Sequence, residues 1–317
     1  MEESNTSILA RLASSDVDVR RVALTELDEI LEVASFRDLL PLLADEDATV
    51  RKLAVQVLEE IGDHRALPDL LKTADDSEPD VAFAAVTAIR EFRTAESVDA
   101  LLEGATLGAP RSRAAAIVAL RGVRGKRVQE TLIKTALDPA PEVRREAVLA
   151  LGYLKENETL PAFRSALKDE DEEVRRLAVD ALSQFKGTDV SDLIRATGDS
   201  AWRVRRQAVM GLSNYQSEPG EQALLQALDD EQWEVMKEAI VSLGNLRAPV
   251  LRQFTPFFAH GLADIRIAVA IAAGAIAEPE SKSYLEALLQ DPDTGVQKAA
   301  QRALRQIEEH EIQNTQI

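Results

Sequence analysis

An apolar residue, usually followed by Arg, with Ala four positions on and Leu eight positions on, recurs ten times along this chain at intervals of 30 or 31 residues. The leading positions are Val19, Val50, Val81, Ser112, Val143, Val174, Val204, Val235, Ile265 and Val296, with Ser112 the one polar exception. The fourth position on is Ala in every copy but one, Val269, and the eighth is Leu except at Ile89 and Ala273. A period of this length constrains the fold more than composition does. Each copy is one supersecondary unit that cannot bury its apolar face alone and has to stack on its neighbours.

Offsets of zero, four, five and eight fall on one face of a helix. The motif therefore marks a helix, with Ala where two helix backbones approach most closely. Upstream lies a second apolar stretch, as in Leu67-Pro68-Asp69-Leu70-Leu71 and Leu160-Pro161-Ala162-Phe163. Pro fits the first turn of a helix, where its missing donor costs nothing. Asp16, Asp47, Asp171 and Asp293 stand three positions before the marker, the place of an N-cap. Each copy reads as a helical hairpin, and the chain as all-α: a right-handed α-solenoid, an α–α superhelix, of ten such hairpins in a single array over 1–317, with polar tails at 1–6 and 309–317. Helices stacked about 8–10 Å apart predict a curved rod on the order of 90 Å long with a long concave surface. The last helix, with Gln297, Lys298, Gln301, Arg302 and Arg305, carries the extra polar groups of a terminal cap.

The rest of the composition narrows the function. Aromatic residues are only 4% of the chain, against 45% apolar residues overall, which suits helices packed through small side chains better than sheets. A formal charge of −18 disfavours nucleic acid as a partner. The absence of cysteine excludes disulfides, thiolate nucleophiles and Cys-ligated metal centres. Met1 to Ser7 lacks the basic and apolar regions of a secretory signal. The longest uncharged, mostly apolar stretch, Ile267 to Ala277, is 11 residues, well short of the roughly 20 that cross a bilayer. A cytoplasmic protein without a membrane span is expected.

Segments such as Asp169-Glu170-Asp171-Glu172-Glu173-Val174-Arg175-Arg176-Leu177-Ala178-Val179 and Asp138-Pro139-Ala140-Pro141-Glu142-Val143-Arg144-Arg145-Glu146-Ala147-Val148 resemble the HEAT repeat family, specifically its short repeats first associated with phycobilisome lyases. The resemblance covers nearly the whole chain. It implies a ladder in which a turn Asp and an Arg at the start of the second helix link neighbouring repeats. The matching Asp positions are Asp45, Asp76, Asp138, Asp169, Asp199, Asp230 and Asp291, and the matching Arg positions are Arg20, Arg51, Arg113, Arg144, Arg175, Arg205 and Arg266. Leu107 replaces the Asp in repeat 4, and Ala82, Met236 and Gln297 replace the Arg in repeats 3, 8 and 10, so interruptions are expected there. The resemblance also implies an alternative function, an accessory lyase or chaperone of the phycobilin-lyase type acting on a cofactor-bearing protein.

Catalytic chemistry finds little to use. His64, His260 and His310 stand in repeats 2 and 9 and the tail, and eight repeats separate the outer two, on the order of 70–80 Å by the same helix spacing. Deoxyhypusine hydroxylase, a HEAT-repeat enzyme, carries several His-Glu dipeptides around two irons; here His310-Glu311 stands alone. No phosphate-cradling loop is present, and Gly122 and Gly125 fall at helix ends or turns. No catalytic residue, metal, cofactor or small-molecule substrate is expected.

Departures from the repeat columns point to a binding surface instead. Between Gly104 and Gln129 the chain has six cations, Arg111, Arg113, Arg121, Arg124, Lys126 and Arg127, and no acid. They suit an acidic partner or phosphate, or else neutralise acids of adjoining repeats. Trp202 and Trp233, the only tryptophans, share the column two before the marker in consecutive repeats. They read either as an exposed pair of anchors about 10 Å apart or as core extensions over the turns. Two after the marker, Arg21, Lys52, Arg145, Arg176, Arg206, Lys237 and Lys298 form a basic ridge, read mainly as solvated ion pairing, which Phe83 and Ile267 interrupt. The second helix of repeat 9 is apolar nearly all round, with Ile267 and Ile271 where other copies are polar, so it is either covered or docks a partner. The expectation is a non-catalytic scaffold or adaptor that presents its concave surface to a protein partner.

Overall fold

The computed structural model describes residues 8–185 and 189–315; the expected tail at 1–6 lies outside them. The described residues form helices and no strand, and each sequence marker falls on the second helix of a hairpin. Those helices run Val17–Thr25, Ala48–Ile61, Pro79–Ile89, Pro110–Leu120, Pro141–Leu154, Glu172–Ser183, Trp202–Leu212, Trp233–Leu246, Ala263–Ile276 and Thr294–Thr315. The last continues through residues 309–315, where a polar tail was expected.

Their starts are built in two ways. In repeats 1, 2, 6 and 10 the Asp three before the marker accepts a backbone N–H of the first turn, as Asp47 does from Val50 at 3.0 Å and Asp171 from Val174 at 3.0 Å. In repeats 3, 4 and 5 a proline opens the helix instead, at Pro79, Pro110 and Pro141, where the lost donor had no partner to lose. Gly62 ends the second helix of repeat 2 with φ 66°, a left-handed cap that glycine adopts without strain.

Most first helices are short, such as Leu67–Thr73, Val98–Gly104 and Val190–Ala196. In repeats 2 and 9 they change character part-way. Phe36–Leu39 tightens into a 3-10 turn over Leu40–Ala44 at Pro41, and Leu251–Phe254 does so over Thr255–Ala259 at Pro256. A proline past the first turn removes a donor from the α-helical ladder, and the tighter turn accommodates it. The second helix of repeat 1 breaks at Glu26, whose carboxylate Arg11 holds, and resumes over Leu27–Val33.

The chain forms two compact units, Met1–Ala162 and Phe163–Ile317. Inside each, second helices of consecutive repeats pack side by side, with the first helices against them. The core is the set of marker columns: all ten residues four after the marker, from Ala23 to Ala300, are fully buried, as are Leu58, Leu120, Leu151, Leu182, Leu212 and Leu243 eight after it. Each buried leucine contributes about 1.5–3 kcal/mol. Backbones in the second unit also approach closely at Gly244 against Ala272 and at Gly274 against Ala303. Repeat 9 is thus wedged between its neighbours through small residues, which explains an almost wholly apolar helix.

Candidate functional site

Polar order inside the stack comes first. Arg51 donates through Nε and Nη2 to the two carboxylate oxygens of Asp76 at 2.7 and 2.9 Å, and through Nη1 to the Asp45 carbonyl at 2.8 Å. Arg20–Asp45, Arg113–Asp138, Arg175–Asp199, Arg205–Asp230 and Arg266–Asp291 repeat the arrangement. Each Asp also accepts the backbone N–H two residues on, so one carboxylate shapes its turn and anchors the preceding repeat. The guanidinium hydrogen bond holds Asp76, Asp230 and Asp291 below the usual carboxylate range. At Asp138 and Asp199 burial pushes upward, but the arginines and backbone donors prevail and the carboxyls are lowered. These rungs fix register and leave little of either group for a ligand.

The interruptions come in matched pairs. Ala82 and Leu107 replace the two partners of one rung, and Met236 and His260 replace those of another. No buried Arg or Asp is therefore left facing a neighbour that cannot answer it, the costly outcome. His260 keeps the turn by accepting the Leu262 N–H on Nδ1 at 3.2 Å, and Gln297 keeps the within-repeat contact by donating to the Asp291 carbonyl at 2.7 Å. Beside the Ala82 and Leu107 gap lies a cavity of about 280 Å³, lined in part by Leu71, Ala100, Gly104 and Leu107.

The exposed face of the second helices in the second unit gathers most of the unusual side chains. Trp202, Arg206 and Met210 follow one another at four-residue steps and line a cavity of about 210 Å³ with Arg176, Arg203 and Gln207. The Arg203 guanidinium lies 4.9 Å from the centre of the Trp202 ring, and Lys237 Nζ lies 5.6 Å from that of Trp233. Trp202 is half-buried and Trp233 is 38% exposed, so both are anchored at one edge and open at the other. Ile271 is 56% exposed, whereas Ile267 is half-buried with its Cδ1 in the space a side chain at Gly295 would need. Met210 belongs with Ile271. Both stand six after their markers, and with half-buried Val241 between them they form an apolar column through repeats 7, 8 and 9 that column inspection at that offset would have found. The same offset is polar in Thr25, Gln56, Thr87, Asp180 and Arg302, and apolar but half-buried in Val118 and Leu149.

The basic ridge is ion-paired along the stack, through Arg21–Asp47, Lys52–Asp80, Arg206–Glu238 and Lys237–Asp264. Of the six cations between Gly104 and Gln129, Arg113 is a rung. Arg121 pairs with Glu146 and lies 5.5 Å from the exposed Tyr153 ring, Arg127 pairs with Asp99 at 2.7 Å, and Lys126 with Glu130 at 3.8 Å. Arg111 and Arg124 are exposed and make no hydrogen bond or ion pair among the described residues. Phe83, noted in the sequence only as a gap in the ridge, is 74% exposed. Among the described residues no three His, Asp or Glu side chains converge as metal ligands, and no helix is long and apolar enough to cross a membrane.

Comparison with known proteins agrees with this architecture. The solved structure of YibA from Escherichia coli superposes with a TM-score of 0.56 at 17% identity, over 90% of this chain and 96% of that one. Kap95p, in its structure with RanGDP, gives 0.63 at 15% identity over 96% of this chain and 48% of its own. Importin beta gives 0.60 at 17% identity over 96% and 50%. This chain spans about half the length of those last two, and at such identities the likeness is one of fold: an α-solenoid. No curated protein matches the sequence. The family described as HEAT repeats matches residues 5–82, 129–201 and 190–264, more than half of the chain, and the chain belongs to it.

Proposed function

We propose that this protein is a non-catalytic scaffold that presents the exposed face of its second helices to a protein partner. The observation that carries the reading is the set of large side chains open or half-open on that face in repeats 7 to 9, Trp202, Met210, Trp233 and Ile271, beside the cations Arg203, Arg206 and Lys237. Solvent-exposed apolar side chains gathered in one place mark contact surfaces. Tryptophan beside arginine is the composition most enriched among residues that dominate binding energy. Kap95p, one of the solenoids of similar fold, is seen bound to a protein, RanGDP, which is the kind of use proposed for this face.

The test is affinity capture of the tagged protein from its native lysate beside the variant with Trp202→Ala and Trp233→Ala. A stoichiometric protein partner is expected with the wild type and lost from the variant, each truncation costing about 2 kcal/mol of binding or more. Helicity and melting should stay close to wild type. A large fall in melting temperature would make the tryptophans structural and remove them as anchors. A co-purifying bilin with visible absorbance would replace the scaffold with the accessory-lyase reading.

A further inference from the structure

The spacing of the open side chains specifies more than a protein partner in general. We infer that the face of repeats 7 to 9 receives an acidic amphipathic α-helix lying across the second helices, its apolar residues at i, i+7 and i+14 seated on Met210, Val241 and Ile271. This rests on the scaffold reading and adds the form and chemistry of the partner.

The geometry follows from two repeats meeting. Adjacent second helices pack about 8–10 Å apart, so the three apolar side chains, each six after its marker, are offered at that interval. A crossing α-helix returns the same face every seven residues, a rise of about 10 Å. An extended strand returns it every two residues, about 7 Å, and falls out of step. The width agrees as well. From the Trp202 and Trp233 column to the Met210 and Ile271 column is eight residues of helix, about 12 Å, and a helix with its side chains is about 10–12 Å across. The tryptophans form one bank of that strip, and the apolar column the other.

Charge selects the sign of the partner. The chain carries −18 overall, yet the second helix of repeat 7, Trp202–Leu212, holds Arg203, Arg205 and Arg206 and no acid. Arg205 is committed to its rung with Asp230. Arg203 and Arg206 reach only Glu172 at 3.3 Å and Glu238 at 3.2 Å, and both arginines are more than half exposed. The Arg203–Glu172 pair is exposed on both sides and contributes little, so exchanging it for a partner's carboxylate costs little and adds steering toward an acidic segment, whereas Glu238 is only 15% exposed and keeps Arg206. Lys237, one repeat on, continues the row between the two apolar columns, paired with Asp264 at 2.8 Å and sharing its helix with Glu234 and Glu238.

Trp202 and Trp233 are the only tryptophans, so their fluorescence reports occupancy of this face directly. The probe is a synthetic helix-forming peptide of about 20 residues, free of tryptophan, with Leu at i, i+7 and i+14 and Glu on the flanking positions. Three companions accompany it: the same composition with the leucines five apart, the same leucines with Lys for Glu, and a proline-rich peptide with Leu at every third residue. The expected result is roughly tenfold tighter binding of the first peptide than of any companion, with a similar loss for Ile271→Gln and for Met210→Gln. Both substitutions are at exposed sites and should leave the melting temperature unchanged. Equal binding of the shifted register, a preference for the basic or proline-rich peptide, no binding at all, or indifference to Ile271→Gln each overturns the inference. If a lysate partner is nonetheless lost with the double tryptophan variant, the scaffold reading stands without the helix; if capture shows no protein partner either, both fall.

Discussion

Asp138 accepts the Ala140 backbone N–H at 2.9 Å while both of its carboxylate oxygens grip Arg113 of the preceding repeat, at 2.7 and 2.8 Å. Arg113 in turn donates to the Gly108 carbonyl of its own turn. One planar fork thus fastens two turns at once, and both side chains are largely out of water. Arg113→Met should destabilise the first unit by about 2 kcal/mol, within the range for hydrogen bonds to charged groups. Arg113→Lys should recover only part of this, because an ammonium cannot make the paired contact. Urea unfolding of the three proteins checks the order.

The Ala82 and Leu107 gap provides the reverse experiment. Ala82 is buried, so Ala82→Arg alone places a guanidinium with no carboxylate to meet and should destabilise, and Leu107→Asp alone gains nothing in return. Together they recreate the pair present on either side at Arg51–Asp76 and Arg113–Asp138. A double-mutant cycle should show favourable coupling of about 1–2 kcal/mol. Additive single effects would mean that the two positions do not meet.

The columns of the repeat made most of this architecture legible, because a buried position recurs ten times and each copy checks the others. Val50, Ala54 and Leu58 announce a buried helix face, and so do their counterparts in nearly every repeat. The rung residues were legible one by one, but not that the losses at Ala82 and Leu107 belong to a single missing pair, since partnership across repeats is a property of the stack. The break at Glu26 and the tightened turns at Pro41 and Pro256 escaped for the opposite reason: local chemistry decides them, against the pattern. For the candidate site, Trp202, Trp233 and Ile271 stood out by type, whereas Arg113, counted both as a ladder residue and as part of the cationic patch, is committed to the ladder through Asp138. Val241 and Met210 are unremarkable residues that matter only through the neighbours that share their column.

Acid should expose the charge part of this design. The Arg21 hydrogen bond, followed by the Val50 backbone N–H, holds the Asp47 carboxyl down to about 2, and Arg65 holds Asp63 to about 2. An unfolded Asp titrates near 3.9, so the folded state binds the proton more weakly. The stabilisation is fully present above about pH 4 and is lost as pH falls from there toward about 2. Asp47→Asn keeps an N-cap acceptor for Val50 and removes the charge together with the second oxygen that accepts from Arg21. Its melting temperature should lie below wild type at neutral pH, with the gap closing as calorimetric scans descend to about pH 2. A gap constant with pH would assign Asp47 a purely geometric role.

Gly244 tests how tightly repeats 8 and 9 are pressed together. Glycine inside the helix Trp233–Leu246 costs about 1 kcal/mol relative to alanine, so Gly244→Ala would stabilise an isolated helix. In the stack, a Cβ there would stand 2.7 Å from the Ala272 Cβ and 2.8 Å from its Cα, and neither atom belongs to a side chain that can swing away. The helices would have to separate, at a cost typical of overpacking, about 1–3 kcal/mol, which outweighs the propensity gain. Net destabilisation is therefore expected for Gly244→Ala. Gly261→Ala, where an added Cβ meets nothing within 4 Å, should leave stability within a few tenths of a kcal/mol of wild type. Thermal melts of the two variants side by side decide the matter, and a stabilised Gly244→Ala would show that the close approach of the two repeats yields without resistance.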